Sequence, residues 1–187
     1  MKICWKGAAL LAPVSPTMVT CGDFDGDANI ITVAWCGMVS TKPPRVYISV
    51  RPNRHSHGII SEKKEFVINL TTDSMVKAAD KCGMYTGRKV DKFTRFGLTR
   101  EKASVVSCPM IEESPVSLEC KVISVTPMGS HDMFVADVVA VDVKEELLDE
   151  KGTLRLDRAH LAAYAHGAYY QLGKKIGNIG YALKKKK

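Results

Sequence analysis

Alternating apolar and polar positions dominate the first fifty residues and predict β-strands rather than helices. The segments Thr17–Cys21 and Asn29–Trp35 both have this period of two. Between them, Asp23–Asp27 contains the Asp-Gly pair that is typical of a tight hairpin turn. We therefore expect a hairpin here, followed by a loop of small residues after Trp35.

A second strand group follows the Pro43-Pro44 pair, which fixes an extended entry to Arg45–Arg51. In this strand the aliphatic residues occupy every second position and should face the core, while the polar residues face outward. After a short loop, Ser56 is expected to cap a helix that begins at His57 and ends at Lys63. The segment Phe66–Leu70 is the next predicted strand.

The second half of the chain combines two helices with two long strands. The first predicted helix is capped by Asp73 or Ser74 and ends near Tyr85, and an irregular segment Arg88–Lys102 follows it. The two strands are Val116–Val122 and Met133–Val143, with the turn Pro127–Asp132 between them. The second helix runs from the cap Asp157 to Tyr164. Strands joined as hairpins, with helices as inserts, indicate an α+β fold that is mainly antiparallel β, a barrel or a sandwich with short helical inserts. We expect one domain over residues 1–180 and a basic tail over 181–187.

Composition excludes several classes of protein. Of the 187 residues, 45% are apolar and 25% are charged, which is close to the average of globular domains and unlike a disordered or collagen-like chain. No window approaches the length of apolar sequence that a membrane-spanning helix needs. The net charge is +7, and the terminal run Lys184–Lys187 supplies more than half of it. This basic balance keeps a nucleic-acid-binding β-barrel open as one alternative.

The cysteines and the amino terminus bear on location. The six cysteines contain no Cys-x-x-Cys pair, so we expect reduced, mostly buried thiols and no metal site. The apolar stretch Ala8–Ala12 is too short for a secretory signal and is broken by Pro13. Together these features predict a cytoplasmic protein.

One cluster of residues has clear chemical potential. Arg51, Arg54, His55, Ser56 and His57 fall within seven positions, from a strand end through a loop to a helix start. A guanidinium group can donate two parallel hydrogen bonds to two oxygens of one phosphate, and the free N–H groups of a helix N-terminus add partial positive charge. The cluster fits one phosphate monoester, and the alternative is a solvated basic loop.

A longer pattern runs through and beyond this cluster. It comprises Asn29–Pro44, Val46–Arg51 with the following basic loop, Glu65–Leu70, Val90–Phe93, Phe96–Leu98, Gly129–His131 and Tyr169–Gly173. In order and spacing these segments resemble the flavin reductase-like family of FMN-binding split barrels, and within it the flavoredoxins. The resemblance covers about residues 7–180.

The resemblance implies a homodimer of split barrels, each of which binds one FMN near the subunit boundary. The flavin ring would lie along Thr32, Val33, Ala34, Trp35 and Cys36, with Val50 beside it, and would receive backbone hydrogen bonds at its polar edge. Ser40 and Thr41 would serve the ribityl chain or the phosphate, and Arg51, Arg54, Ser56 and His57 would hold the phosphate. Lys92 would approach the cofactor or the partner subunit.

Because a flavin performs its own redox chemistry, no side chain is expected to be indispensable for catalysis. His131 is the one candidate, since the resemblance places its hairpin near the approach path of a nicotinamide. Its setting Gly129-Ser130-His131-Asp132 differs from the Gly-Asp-His common in the family's reductases. Two functions therefore stay open, an NAD(P)H-dependent flavin or ferric reductase and a flavoredoxin-type electron carrier reduced by a redox protein such as ferredoxin. The alternative from another class is a nucleic-acid-binding β-barrel without flavin.

Overall fold

A computed structural model describes residues 1–183, and its main feature is one antiparallel sheet of seven strands. The strands, in chain order and including two short pairs outside this sheet, are β1 (Thr17–Gly22), β2 (Ala28–Val33), β3 (Cys36–Thr41), β4 (Pro44–Val50), β5 (Glu65–Asn69), β6 (Arg100–Glu101), β7 (Met110–Ile111), β8 (Val116–Pro127), β9 (Asp132–Val143), β10 (Ala162–Ala165) and β11 (Ala168–Gln171). The helices are α1 (His55–Lys63), α2 (Val76–Met84) and α3 (Lys92–Phe96). The prediction of mainly antiparallel β-structure with short helical inserts is confirmed.

The order of the large sheet is β2-β1-β5-β8-β9-β4-β3. Its two outermost strands, β2 and β3, are consecutive in the chain and are joined by only Ala34 and Trp35. The sheet must therefore curl until its first and last strands approach each other. This closure is what creates the groove described below.

Buried and more exposed residues alternate along β4 as predicted, with the aliphatic side chains on the buried face. Val46, Ile48 and Val50 are buried, and they pack with Phe66 of β5 and Phe134 of β9 in the main apolar core. A second core lies where α2 and α3 cover β1 and β2. The main core contains Ile31 and Val33 of β2 and Ile60 of α1, so it fixes both ends of the segment that runs from β2 to α1 around the candidate site.

Two predicted elements are wrong. The loop expected after Trp35 is strand β3, which pairs with β4 across a register shift between Met38 and Ser40. The helix expected from Asp157 to Tyr164 is a single 3-10 turn over Leu156–Arg158, followed by the β10–β11 hairpin. Alanines favour a helix locally, but pairing of Tyr164 with Val14, far away in sequence, overrides that preference.

The helix starts also differ from the predictions. Helix α1 begins two residues early, with Arg54 as its N-cap and without any side-chain cap. Helix α2 begins at Val76 after Met75, so neither Asp73 nor Ser74 is its N-cap. In the segment expected to be irregular, Asp91 caps the short helix α3 by accepting a hydrogen bond from the N–H of Phe93 at 2.9 Å.

Buried polar side chains tie the long connection between α3 and β8 to the sheet. Glu119 of β8 accepts hydrogen bonds from the backbone N–H groups of Ser104, Val105 and Val106. Burial opposes ionisation of this carboxyl, but the three donors outweigh it and lower its pKa. The connection is thereby held as an ordered part of the fold although it contains little regular structure.

The ends of the chain bear on the predicted division. Tyr181–Leu183 forms one 3-10 turn, and the terminal lysines 184–187 lie outside the described residues. The split into a domain over residues 1–180 and a tail over 181–187 therefore stays a prediction. Across residues 1–183, the helices are all too short or too polar to cross a membrane.

Candidate cofactor site

A groove lies at the junction between β2 and β3, beside the end of β4. It has a volume of about 230 Å³ and is lined by Ile31, Thr32, Val33, Ala34, Trp35, Ser49, Val50, Arg51, Arg54, His131 and Tyr164. Residues at the end of β2 line one part of it, and residues at the end of β4 line another. We call this feature the strand groove.

A second cavity of about 280 Å³ continues from the strand groove, because Ile31, Arg51 and Arg54 line both. Its remaining lining residues come from β2, from the loop before α1 and the start of α1, from the segment around the end of α2 and from the start of α3: Asn29, Asn53, His55, Ser56, Cys82, Gly83, Tyr85, Thr86, Gly87 and Lys92. We call it the basic cavity. Together the two features form one elongated site with a mostly apolar end and a cationic end.

The cationic end holds uncompensated positive charge. Neither Arg51 nor Arg54 takes part in an ion pair within residues 1–183, whereas Arg45 is 2.7 Å from Asp137. The N-terminus of α1 lies at the same place, and its first-turn N–H groups have no side-chain cap. Partial burial lowers the pKa of His131, and the charges of Arg51 and Arg54 lower it further. The arrangement favours an anion.

Lys92 is a buried residue in the lining of the basic cavity. Its side chain is only 3% exposed, and Nζ donates hydrogen bonds to the carbonyl oxygens of Ile30 and Cys82, both at 2.6 Å. Burial lowers the pKa of Lys92 to about 8, two nearby thiols oppose that shift, and the charge of Arg54 adds to it. An anion in the cavity would raise the pKa of this lysine again, because it stabilises the charged form.

The structure brings most of the predicted site residues together. Thr32, Val33, Ala34, Trp35, Val50 and His131 line the strand groove, Ser56 and Lys92 line the basic cavity, and Arg51 and Arg54 line both. Ser56 is buried within α1, and its Oγ accepts a hydrogen bond from Asn29 at 2.7 Å. Its predicted role as a helix cap is therefore wrong, although its place in the cavity agrees with the prediction of a phosphate site.

Four predicted residues line neither cavity. Ser40 and Thr41 lie at the far end of the β3–β4 hairpin, where they pair with Arg45 and Pro44. Cys36 begins β3 beyond the groove, where its Sγ lies 3.5 Å from Oγ1 of Thr17 and burial raises its pKa. The remaining one is His57, described next.

The imidazole of His57 turns away from the basic cavity. Its Nε2 lies 2.8 Å from Oδ2 of Asp132, and its ring meets Phe134 edge-on at 5.1 Å. Asp132 directly follows His131 at the start of β9. His57 therefore connects the helix at the cationic end to the hairpin that carries His131, and it does not point at the site itself.

Several lining residues were not predicted. Gly83 and Gly87 border the basic cavity, and a Cβ at Gly87 would clash with the side chain of Asn29. Asn29 itself is a polar residue inside a buried strand, which was the one available signal for it. Tyr164 was missed because its segment was expected to be helical.

The two cavities suit a molecule with a phosphate at one end and a flat ring at the other. The basic cavity offers two guanidinium groups, a helix N-terminus and a buried ammonium within one enclosure. The strand groove offers main chain at the end of an edge strand, which can hydrogen-bond the polar edge of a ring, with Trp35 and Tyr164 beside it. A flavin mononucleotide has this shape and charge, so the residues present fit it.

Comparison with known proteins supports this interpretation. The family model described as flavin reductase-like domain matches residues 12–173. The flavoredoxin of Desulfovibrio vulgaris (Miyazaki F) superposes with a TM-score of 0.91 at 27% identity, over 98% of this chain and 100% of that one. An uncharacterized protein of Pyrococcus abyssi is 30% identical over 144 residues, 77% of this chain and 82% of that protein.

An FMN reductase (NADH) of Shigella sonnei is 23% identical over 124 residues, 66% of this chain and 78% of that enzyme. These similarities confirm the predicted split barrel and flavin-linked redox function, and they give no support to the nucleic-acid alternative. The chain belongs to the flavin reductase-like family of flavin-binding redox proteins.

Proposed function

We propose that the protein binds FMN, with the phosphate in the basic cavity and the ring in the strand groove, and exchanges electrons through it. The observation that carries this proposal is the pair of guanidinium groups of Arg51 and Arg54, which form no ion pair within residues 1–183 and lie beside the uncapped start of α1. A single phosphate suits an enclosure of this size, which favours FMN over a dinucleotide. Ser56 and Lys92 complete the phosphate site in this proposal.

The flavin supplies the electron exchange when it is bound, and the chain binds and orients it. Main-chain groups of Thr32–Trp35 hydrogen-bond the polar edge of the ring, and Val50 packs beside it. Arg51 and Arg54 neutralise the phosphate and so fix the position of the ring along the groove. Because they lie outside both cavities, Cys36, Ser40, Thr41 and His57 receive no direct role.

The proposal is tested by comparing FMN with riboflavin, which carries the same ring without the phosphate. We expect FMN to bind at least about tenfold more tightly, because charge-assisted hydrogen bonds to phosphate are lost with riboflavin. Titration monitored by flavin fluorescence gives both dissociation constants. Equal affinities would contradict the assignment of the basic cavity to the phosphate.

The electron donor is either NAD(P)H or a redox protein such as ferredoxin, and a substitution of His131 distinguishes these two possibilities. Its imidazole lines the strand groove, and Ser130 lies 2.9 Å from its Nδ1. If a nicotinamide reduces the flavin, His131→Ala should slow that reduction about tenfold, the effect of one lost hydrogen bond. Stopped-flow reduction by NADH and NADPH measures this rate.

Reduction by dithionite and the dissociation constant for FMN are the controls for His131→Ala, and both should stay unchanged. If a redox protein is the donor, NAD(P)H should reduce the wild-type flavin only slowly. The substitution should then leave electron flow from that protein donor intact. Rapid reduction of both wild type and variant by NAD(P)H would remove His131 from the proposal.

A homodimer is also part of this proposal. Exposed aliphatic side chains on strands β3, β8 and β9 favour a covering partner: Met38, Val39, Ile123, Val125, Val139 and Val141. The apolar end of the chain adds little to this surface, because Ala162 and Ala163 are buried within the same chain. A second copy of the chain would cover the exposed strands.

Light scattering should give twice the chain mass of 20.5 kDa. Val141→Lys, at a side chain 54% exposed on β9, should shift the protein toward the monomer. Val105→Lys is a matched control, since Val105 is 50% exposed but lies outside the large sheet. A wild-type monomer would contradict the dimer.

A cytoplasmic location belongs to the same proposal, supported by six free thiols.

A further inference from the structure

A third cavity adjoins the strand groove and is not needed for the cofactor. It has a volume of about 300 Å³ and is lined by Ala9, Leu10, Leu11, Ala12, Trp35, Tyr164, His166 and Gly167. Trp35 and Tyr164 line this cavity and the strand groove alike. A molecule in the third cavity, which we call the apolar cavity, would therefore lie beside the proposed ring site.

The fold builds this cavity from two separate parts of the chain. Val14 and Tyr164 exchange backbone hydrogen bonds of 2.9 and 2.8 Å, which hold the amino-terminal segment against β10. The turn between β10 and β11 forms the other side, with left-handed backbone at His166 and Gly167. The cavity is therefore framed by a paired strand end and a tight turn on one side and by the segment 9–12 on the other.

The lining indicates which chemistry the cavity accepts. Within the part of the chain that the structure describes, no lysine, arginine or carboxylate lines it, in contrast to the basic cavity. Phosphates and other ions would lose hydration there without compensation. Two aromatic side chains offer flat surfaces for stacking, and His166 offers one hydrogen-bonding group. A neutral, planar molecule with a polar ring substituent fits this lining.

We infer that the apolar cavity binds the electron acceptor, and that this acceptor is a neutral aromatic compound of one or two rings, of the quinone class. The inference rests on the proposed function, which supplies the reduced flavin. In the reaction a quinone gains two electrons and two protons and becomes a hydroquinone. Both the electrons and the protons come from the reduced flavin, which returns to its oxidised form.

Equilibrium binding of 2-methyl-1,4-naphthoquinone tests the site without any turnover. The chain has two tryptophans, so Trp5→Phe leaves Trp35 as the single tryptophan, which is excited selectively over the tyrosines at long wavelength. We expect the quinone to quench Trp35 in a saturable way, both with and without bound FMN. Absence of saturable quenching would overturn the inference, and so would displacement of the quinone by FMN, since that would place the probe in the strand groove.

A matched pair of substitutions locates the bound quinone. Ala9 lines the cavity and its neighbour Ala8 does not. Ala9→Phe should therefore fill the cavity and weaken quinone binding at least about tenfold, while Ala8→Phe should leave it unchanged. Equal effects of the two substitutions would overturn the assignment to this cavity.

Failure of this inference is distinguishable from failure of the proposed function. Ala9→Phe should leave the dissociation constant for FMN unchanged, because the residue is absent from both cofactor cavities. If the wild type binds the quinone but not FMN, the proposed function is contradicted and the electron-accepting role falls with it. If it binds FMN but not the quinone, only the further inference is contradicted.

Discussion

Alanine at Arg54 is expected to weaken FMN binding about tenfold to a hundredfold. Arg54 lines both cofactor cavities, and its guanidinium has no carboxylate partner among residues 1–183. Removing a charge-assisted contact to phosphate costs about 1.5–3 kcal/mol, which corresponds to that loss of affinity. Fluorescence titration of the FMN-free protein measures the change directly.

Arg45→Ala is the matched control for Arg54→Ala. Arg45 lies on β4, but it pairs with Asp137 and lines neither cofactor cavity. Its removal should leave FMN affinity unchanged, and circular dichroism should show an intact fold in both variants. An FMN affinity in Arg54→Ala equal to that of the wild type would place the phosphate elsewhere.

The affinity for FMN should fall as the pH rises above about 8. In the free protein the pKa of Lys92 is lowered to about 8 from its ordinary 10.5, first by burial and then by Arg54. A phosphate bound in the same cavity favours the charged ammonium and raises that pKa again. At a pH between the pKa in the free protein and the higher pKa in the complex, FMN binding takes up a proton. The affinity therefore declines with pH, by up to about a hundredfold near pH 10.

Riboflavin separates this effect from titration of the ring, because it has the same ring and no phosphate. Its affinity should change much less over the same pH range. Lys92→Met should remove the steep pH dependence of FMN binding, provided that calorimetry shows a folded variant. Parallel pH profiles for FMN and riboflavin on the wild type would contradict a role for Lys92 at the phosphate, whether or not the variant folds.

The local parts of the site were predictable from sequence. Arg51 and Arg54 were found because a strand end and a helix start are both marked in the sequence around them. His57 was misplaced because α1 begins at His55 rather than at His57. Each residue turns the helix by about 100°, so the actual phase directs Ser56 to Asn29 and His57 to Asp132.

The non-local parts were not predictable, because their partners lie far away along the chain. Ser40 and Thr41 belong to a strand that extends the hairpin away from the groove, past the register shift in β3. Tyr164 reaches the groove only because its strand is bridged to Val14. Neither arrangement leaves a pattern in the residues nearby. The residues after Trp35 are therefore compatible with a loop as well as with strand β3, and those before Tyr164 with a helix as well as with strand β10.

The junction of β2 and β3 has a consequence for how this protein tolerates sequence change. Peptide N–H and C=O groups are present at every non-proline residue, whatever its side chain. If the edge of the ring is recognised by main chain at Thr32–Trp35, substitutions there preserve its hydrogen bonds as long as strand geometry persists and proline is avoided. The ring end of the site can then diverge widely in side-chain identity while keeping its ligand. The phosphate end, which depends on two particular guanidinium groups, has no such freedom.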